Sequence, residues 1–308
     1  MTKPVRLIID TDPGVDDAVA ILMALAAPVA DVVGLTTVGG NVNLARATRN
    51  ALALLQAAGR TEVPVVKGAA RPLRGRFSPS VAFHGPGGLS VRLPDPAIRP
   101  VNQSAVDFIA DRLSRHPRGI TVVALGPLTN LARLLQRHPD ALAKAHRIVV
   151  MGGAVNTPGN VTSKAEFNIH SDPVAADMVL SSGLPITLAD LAACRQVAIN
   201  RQQALRLTVN HRVGHPLGQL ALRLIQNWFR HDPTREKFEF YDPLAVALAL
   251  EPGLASVRQV NLNVGTSDAD DWGETTVVGG VGEVALADEV DGERFFRVLR
   301  EMLGWEGI

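Results

Sequence analysis

The sequence predicts an α/β protein built on an open, mostly parallel, doubly wound sheet flanked by helices. Short Val/Ile/Leu runs recur up to residue 190, and within each run the apolar residues are continuous, without polar alternation. Helical patterns separate them. A strand buried on both faces reads as an unbroken apolar run, and alternation with helices marks parallel crossovers. Polar and glycine-rich residues collect just after these runs, at the strand ends where open parallel sheets bind ligands.

The elements follow in order. VRLII (5–9) is a strand that ends in a carboxylate-rich turn, and AVAILMALAA (18–27) has helical composition. DVVGLTTV (31–38) is the next strand; a helix over 43–58 follows, closed by Gly59, since glycine suits a helix end. PVVKG (64–68) is a strand, 103–115 a helix and ITVVALG (120–126) a strand. A helix begins near Pro127–Thr129, and HRIVVMGG (146–153) is another buried strand. Asp172-Pro173 opens a helix, proline being tolerated in a first turn, and the chain continues into PITLAD (185–190).

After residue 200 the pattern changes. Residues 215–230 read as an amphipathic helix and DPLAVALAL (242–250) as a buried one with Asp242 at its start. VRQVNLNV (257–264) and TTVVGG (275–280) are strands, and 291–303 is a closing helix. Gly279, Gly280 and Gly282 follow a strand but open no helix, so they form a turn and not a dinucleotide loop.

With 308 residues, 46% of them hydrophobic, the chain is long enough to bury a large core. No linker, charge block or repeat divides it, so one domain over 1–308 is expected. Lys and Arg number 31 against 30 Asp and Glu, which lacks the basic excess of a nucleic-acid binder. Arg71, Arg74 and Arg76 read as a solvated loop. Cys194 is the only cysteine, which precludes an intrachain disulfide and fits a reducing compartment. MTKPVRLIID enters an apolar strand at once, without the pattern of a signal peptide, and no segment has the ~18 apolar residues of a membrane span. A cytoplasmic protein that binds neither membrane nor nucleic acid is expected.

The stretch IIDTDPGVDDAVA (8–20) carries the chemistry. Asp10, Asp12, Asp16 and Asp17 follow directly on a buried strand. Crowded carboxylates repel one another and resist burial, and they persist where a hard cation neutralises them; Ca²⁺ takes roughly six to eight oxygen ligands. An acidic helix N-terminus favoured by the macrodipole would account for Asp16 or Asp17, but not for Asp10 and Asp12 as well.

DTDPGVDDA resembles the N-terminal signature of the inosine-uridine nucleoside hydrolase family. The resemblance continues in matching order through Asn41, His84-Gly85, LGPLTN (125–130), MGGA (151–154), GN (159–160), AEFN (165–168) and the Asp242 helix, and covers essentially the whole chain. It implies the nucleoside hydrolase fold, a Rossmann-like sheet, and hydrolysis of ribonucleosides to ribose and base. It implies Ca²⁺ held by Asp12, Asp17, Asp242 and the backbone carbonyl of Leu125, with Asp12 also the general base. Asp16, Asn41, Asn160, Glu166 and Asn168 resemble the ribose-binding residues, Met151 lies against the sugar, and Asp10 orients the cluster from behind. A histidine on the base side matches His84. Homodimers and homotetramers both occur in the family.

The chemistry is coherent: glycosidic cleavage builds positive charge on the ribose ring, which an acidic pocket stabilises. Without the resemblance, Glu166 and Asn168 read as loop residues, and His84, in the loop FHGPGG, as a surface histidine. Trp228 and Phe229 read as helix packing and His231 as exposed. The pattern departs at Tyr241, the chain's only tyrosine, where purine-cleaving members carry a histidine that protonates the leaving base. A tyrosine, with an ordinary pKa of about 10, is a weaker acid but still donates a hydrogen bond or stacks. Tyr241 and His84 are thus the candidates on the leaving-group side, and pyrimidine nucleosides such as uridine are the expected substrates.

Two other readings compete. Asp10-Thr11-Asp12 after a strand superficially fits a magnesium-dependent phosphohydrolase, against which stand Pro13-Gly14, the Asp16-Asp17 pair and the lack of a phosphate-clamping lysine. A calcium-stabilised nucleoside or sugar binding protein would use Asp12 as a ligand only.

Overall fold

Apolar runs separated by helices assemble into a nine-stranded sheet in the computed structural model, which describes residues 3–210, 215–267 and 270–307. In chain order the first half comprises β1 (Val5–Thr11), α1 (Val15–Ala26), β2 (Ala30–Thr37), α2 (Leu44–Ala57), β3 (Val65–Lys67), α3 (Val81–His84), α4 (Ala105–Arg115), β4 (Thr121–Ala124), α5 (Thr129–Arg137) and β5 (Arg147–Met151). Then come α6 (Phe167–Ser171), α7 (Pro173–Leu180), β6 (Ile186–Ala189), α8 (Leu191–Cys194), β7 (Ala198–Asn200), α9 (Arg201–Arg206) and β8 (Thr208–Val209). The remainder comprises α10 (Pro216–His231), β9 (Lys237–Glu239), α11 (Tyr241–Leu250), β10 (Ala255–Val264), β11 (Thr275–Val278), β12 (Val284–Val290), α12 (Gly292–Leu303) and β13 (Trp305–Glu306).

The sheet order is β11-β10-β12-β6-β5-β4-β1-β2-β3. Strands from β12 to β3 are parallel; β10 runs antiparallel to β12, and β11 antiparallel to β10. The mostly parallel α/β sheet expected from the apolar runs is therefore present. Strand β12 was not anticipated. Its segment VALADEV mixes charged residues into the apolar run because it lies next to the antiparallel edge, away from the fully covered centre.

The strands separate two apolar layers. Leu7 and Ile9 of β1 face a layer that holds buried residues of α1, α10, α11 and α12, whereas Ile8 faces a layer that holds those of α4, α5 and α7. Among the described residues no helix is long and apolar enough to cross a membrane.

The chain winds from β1 outward to β2 and β3, then returns to lay β4, β5 and β6 on the other side of β1. The reversal falls between β1 and β4, where Asp10 lies beside Ala124 in register. A crevice opens beyond the carboxyl ends of strands at such a switch point. The aspartate cluster leaves β1 there.

Candidate active site

Helix α1 begins at Val15, earlier than its apolar composition indicates, because Gly14 serves as N-cap and the Asp17 carboxylate accepts its backbone N–H at 2.9 Å. Asp16 and Asp17 thus lie in the first helical turn while Asp10 and Asp12 flank the end of the strand. Both explanations of acidic residues meet here, the helix terminus and the crowded cluster.

Each carboxylate is held differently. Asp10 accepts hydrogen bonds on one oxygen from the Thr36 hydroxyl and from the Asn130 amide, the latter at 2.7 Å; its Oδ2 is buried without a partner. Burial pushes its carboxyl up to about 7. Asp12 accepts the Asn41 backbone N–H on Oδ2 at 2.5 Å, while its buried Oδ1 has no partner among the described residues. Gly40 and Gly126 permit this fit: a Cβ on Gly40 would come 2.0 Å from Asp12 Oδ2, and one on Gly126 2.6 Å from Oδ1. Asp17 accepts from the Thr11 hydroxyl at 2.5 Å and the Asn41 amide at 3.1 Å. Asp242 enters from the first turn of α11.

Asp16, Asp17 and Asp242, all buried, each bring a carboxylate oxygen within 4.8 Å of the others. This grouping differs from the expected set: Asp16, assigned to the ribose, joins Asp17 and Asp242, whereas Asp12 stands beside them with its own unpaired oxygen. Burial, and then repulsion from Asp17, hold the Asp12 carboxyl well above the usual range, and Asp242 is raised in the same way. Burial lifts Asp16 to about 6. Buried carboxylates that repel one another, with an orphaned oxygen among them, suit a hard divalent cation, which supplies the missing positive charge.

A cavity opens above the cluster, lined by Asp16, Asn41, His84, Leu125, Met151, Asn160, Glu166, Asn168, Tyr241 and Asp242. Asp12 and Asp17 are fully buried and absent from its lining. Every expected site residue thus converges on one end of the sheet. Ser80, Phe83, Val161 and Phe167 also line the cavity and were not singled out from sequence. Phe83 sat next to His84 in a loop-like segment, which gave no sign of the short helix α3.

The far wall is fastened by its own backbone. Glu166 caps α6, accepting the N–H groups of Asn168 at 2.8 Å and of Ile169 and Gly153 at 3.0 Å. The Asn168 amide donates to the Leu125 carbonyl at 2.7 Å, and Asn160 accepts the Phe167 N–H at 2.9 Å. Behind the cluster, Asn130 also accepts the Ala69 N–H at 2.8 Å, so it holds Asp10 from a fixed position.

The opposite end is aromatic. His84 Nδ1 accepts the Val15 N–H at 3.1 Å, which places the ring proton on Nε2. Burial pushes the imidazole down to about 4, so it is neutral near pH 7. Gly14 makes room for it, since a Cβ there would sit 2.5 Å from Nδ1. The Phe83 and His84 rings meet edge to face at 4.7 Å. The Tyr241 hydroxyl donates to Glu239, and burial followed by that bond raises its pKa. Trp228 and Phe229 are core residues; the Trp228 indole N–H bonds to the Phe83 carbonyl at 2.9 Å, and Arg235 lies over its ring at 4.2 Å. His231 is exposed, as are Arg71, Arg74 and Arg76.

The fold and site define an α/β protein with a buried acidic group, able to hold a metal, beside a cavity at the strand ends. Residues 7–297 match the family model described as inosine-uridine preferring nucleoside hydrolase, and the chain belongs to that family and is an enzyme of its class. It is 38% identical to a probable uridine nucleosidase 2 of Oryza sativa over 97% of this chain and 93% of the relative. It is 36% identical to a pyrimidine-specific ribonucleoside hydrolase RihA of Salmonella arizonae over 98% of this chain and 99% of the relative. Among solved structures, a plant nucleoside hydrolase superposes with TM-score 0.88 at 33% identity, covering 98% of this chain and 99% of that one. A purine-preferring ribonucleoside hydrolase from Gardnerella vaginalis gives 0.88 at 31% identity, covering 97% and 98%.

Proposed function

We propose that this enzyme cleaves the N-glycosidic bond of ribonucleosides, releasing ribose and free base, with Ca²⁺ as resident metal and Asp12 as general base. The observation that carries the proposal is the unpaired, buried Asp12 Oδ1 beside the Asp16, Asp17 and Asp242 carboxylates at the switch point of the sheet. Asp12, Asp17, Asp242 and the Leu125 carbonyl would hold the metal. When bound, Ca²⁺ orients a water and the ribose hydroxyls and lowers the pKa of that water.

The chain's own groups then act in sequence. Asp12, fixed through Oδ2 by the Asn41 N–H, offers Oδ1 to the proton of the attacking water. The water oxygen bonds to C1′ as the C1′–N bond breaks with its electron pair going to the base, and positive charge develops on the ribose ring in between. The surrounding carboxylates stabilise that charge. The proton taken by Asp12 returns through solvent to neutralise the departed base. Asp16, Asn41, Asn160, Glu166 and Asn168 suit the ribose hydroxyls, Met151 the sugar's apolar face, and His84 and Tyr241 the base. The uridine and pyrimidine named for two relatives support a preference for pyrimidine nucleosides. A nucleoside-salvage role, a reducing cytoplasmic setting suited to the buried thiol of Cys194, and a homodimer or homotetramer complete the reading.

Product analysis tests it. Ribose plus base is the expected outcome; free phosphate would indicate a phosphohydrolase, and no turnover a binding protein. Exhaustive chelation should abolish ribose release and Ca²⁺ should restore it. Full activity in protein shown by elemental analysis to be metal-free would sink the proposal.

A further inference from the structure

We infer that Glu239 sets the hydrogen-bonding polarity of the base end of the cavity, holding the Tyr241 hydroxyl as an acceptor that favours nucleobases presenting an N–H to it. The inference rests on the nucleoside reading above and deepens it.

Glu239 ends β9, where it pairs with Ala198 of β7, and its side chain is buried. One carboxylate oxygen meets the Lys237 ammonium and the other meets the Tyr241 hydroxyl. Lys237 holds the carboxylate in an ion pair, and a carboxylate in an ion pair only accepts. A phenol carries one proton. Two oxygens in such close contact need that proton between them, because two lone pairs facing each other would repel. Tyr241 has therefore spent its donor on Glu239, and what it offers the cavity is an oxygen lone pair. It cannot protonate a departing base without first breaking a bond to a charged acceptor, the stronger class of hydrogen bond.

The complement of that lone pair is a donor on the base: the ring N3–H of uracil or the exocyclic amine of cytosine. His84, lining the same cavity, has the opposite polarity, because its Nδ1 takes the Val15 N–H and leaves Nε2–H as its one donor. Neither assignment needs a charge on the imidazole or the phenol. Glu239 touches no substrate in this scheme; it is a positioning residue.

The test compares kcat/KM for uridine and for the ribonucleoside of pyrimidin-2-one, which lacks both the N3–H and a substituent at C4. Differences in leaving ability cancel when the ratio of the two values is followed across variants. Tyr241→Phe should lower the uridine-to-pyrimidinone ratio about ten-fold, through uridine alone. Glu239→Ala should lower it at least as far, because the released hydroxyl turns donor and raises the rate on pyrimidinone, whose N3 accepts. If Tyr241→Phe lowers the ratio and Glu239→Ala scales both substrates equally, the inference is overturned while the hydrolase reading stands. If the wild-type enzyme cleaves neither nucleoside, it is the hydrolase reading that has failed.

A second measurement covers the case in which Glu239→Ala does not fold. Tyr241 is the only tyrosine, so protein labelled with ¹³C at tyrosine Cζ gives one resonance. Glu239→Gln keeps the side-chain shape but replaces a charged acceptor with a neutral amide, and the resonance should shift. An unmoved resonance overturns the inference.

Discussion

The two ends of the cavity are built on opposite principles. At the proposed ribose end, buried carboxylates crowd together and Asp12 Oδ1 has no partner among the described residues. At the proposed base end, His84 accepts the Val15 N–H, the Tyr241 hydroxyl donates a hydrogen bond to Glu239, and Trp228 donates to the Phe83 carbonyl. Unpaired buried polar atoms are costly, so the first end is poised to receive something from outside the chain. The second is satisfied internally and presents rings with fixed donors and acceptors. On the proposed function the difference divides the tasks: charge chemistry depends on an occupant at one end, and selectivity is preset at the other.

The largest effect should come from breaking the ribose end. Asp12→Asn keeps the shape of the side chain but removes one charge from the cluster and the base from the proposed mechanism. General-base loss alone is worth roughly 10² to 10⁴ in rate. A drop in kcat of about 1,000-fold for ribose release is therefore expected. Near-normal kcat in Asp12→Asn would move the base elsewhere, with Asp16 the first alternative because it shares the metal-sized grouping.

The contrast also explains what was legible in the sequence. Carboxylates too crowded to be tolerated without a cation are contiguous along 10–17, so the ribose end could be read from a short window. The apolar strands were equally legible, since burial on both faces leaves few polar interruptions. What holds the cluster in place was not legible: Asp10 is fixed by Thr36 and Asn130, which are distant in sequence and meet it only after β1, β2 and α5 have assembled. The base end escaped for a related reason. Glu239 looks like an ordinary surface residue of KFEFYD until β9 pairs with β7 and buries it against Tyr241. Glycines gave a mixed signal. Gly59 marked a helix end, and it does carry positive φ, but Gly14, read as part of a turn, is the helix cap itself and the space His84 fills.

A smaller effect separates the two ends by pH. Asp10 and Asp16 have folded pKa values of about 7 and about 6 against an ordinary 3.8. Over that window the metal-free folded state binds more protons than the unfolded chain, so stability present below the ordinary value is lost as pH rises. Asp12, Asp17 and Asp242 shift in the same direction. His84 opposes them: lowered from 6.5 to about 4, it contributes stability that is present above its ordinary value and lost as pH falls towards 4. Glu166, Asp172 and Asp190 shift with these carboxyls and His170 with His84, so the carboxyls outnumber the imidazoles and decide the sign. Chelated protein should melt about 5 °C lower near pH 7.5 than near pH 5.5. Ca²⁺ should raise the melting temperature more at the higher pH, because binding displaces protons from the same carboxyls. Metal-free protein that gains stability over this range would show that the cluster is not protonated as its burial implies.

The smallest effects should arise at the base end, where two groups of opposite polarity can be compared directly. A departing pyrimidine takes up negative charge, which a donor stabilises and an acceptor does not. In the proposed scheme His84 Nε2–H is such a donor, and its neutrality means that it acts through its fixed proton near pH 7. Loss of a preorganised donor to a charge developing in the transition state typically costs about 100-fold in kcat, which is the expectation for His84→Ala on uridine. In the proposed scheme Tyr241 meets the base only as an acceptor, an interaction made alike in the ground state and the transition state. Tyr241→Phe should therefore raise KM more than it lowers kcat, with kcat/KM on uridine falling about ten-fold, or about 1.4 kcal/mol. Interactions of this kind add to binding without speeding the chemical step. If the order is reversed, with Tyr241→Phe the more damaging and its loss confined to kcat, the tyrosine proton reaches the base after all and the Glu239 bond is broken during turnover.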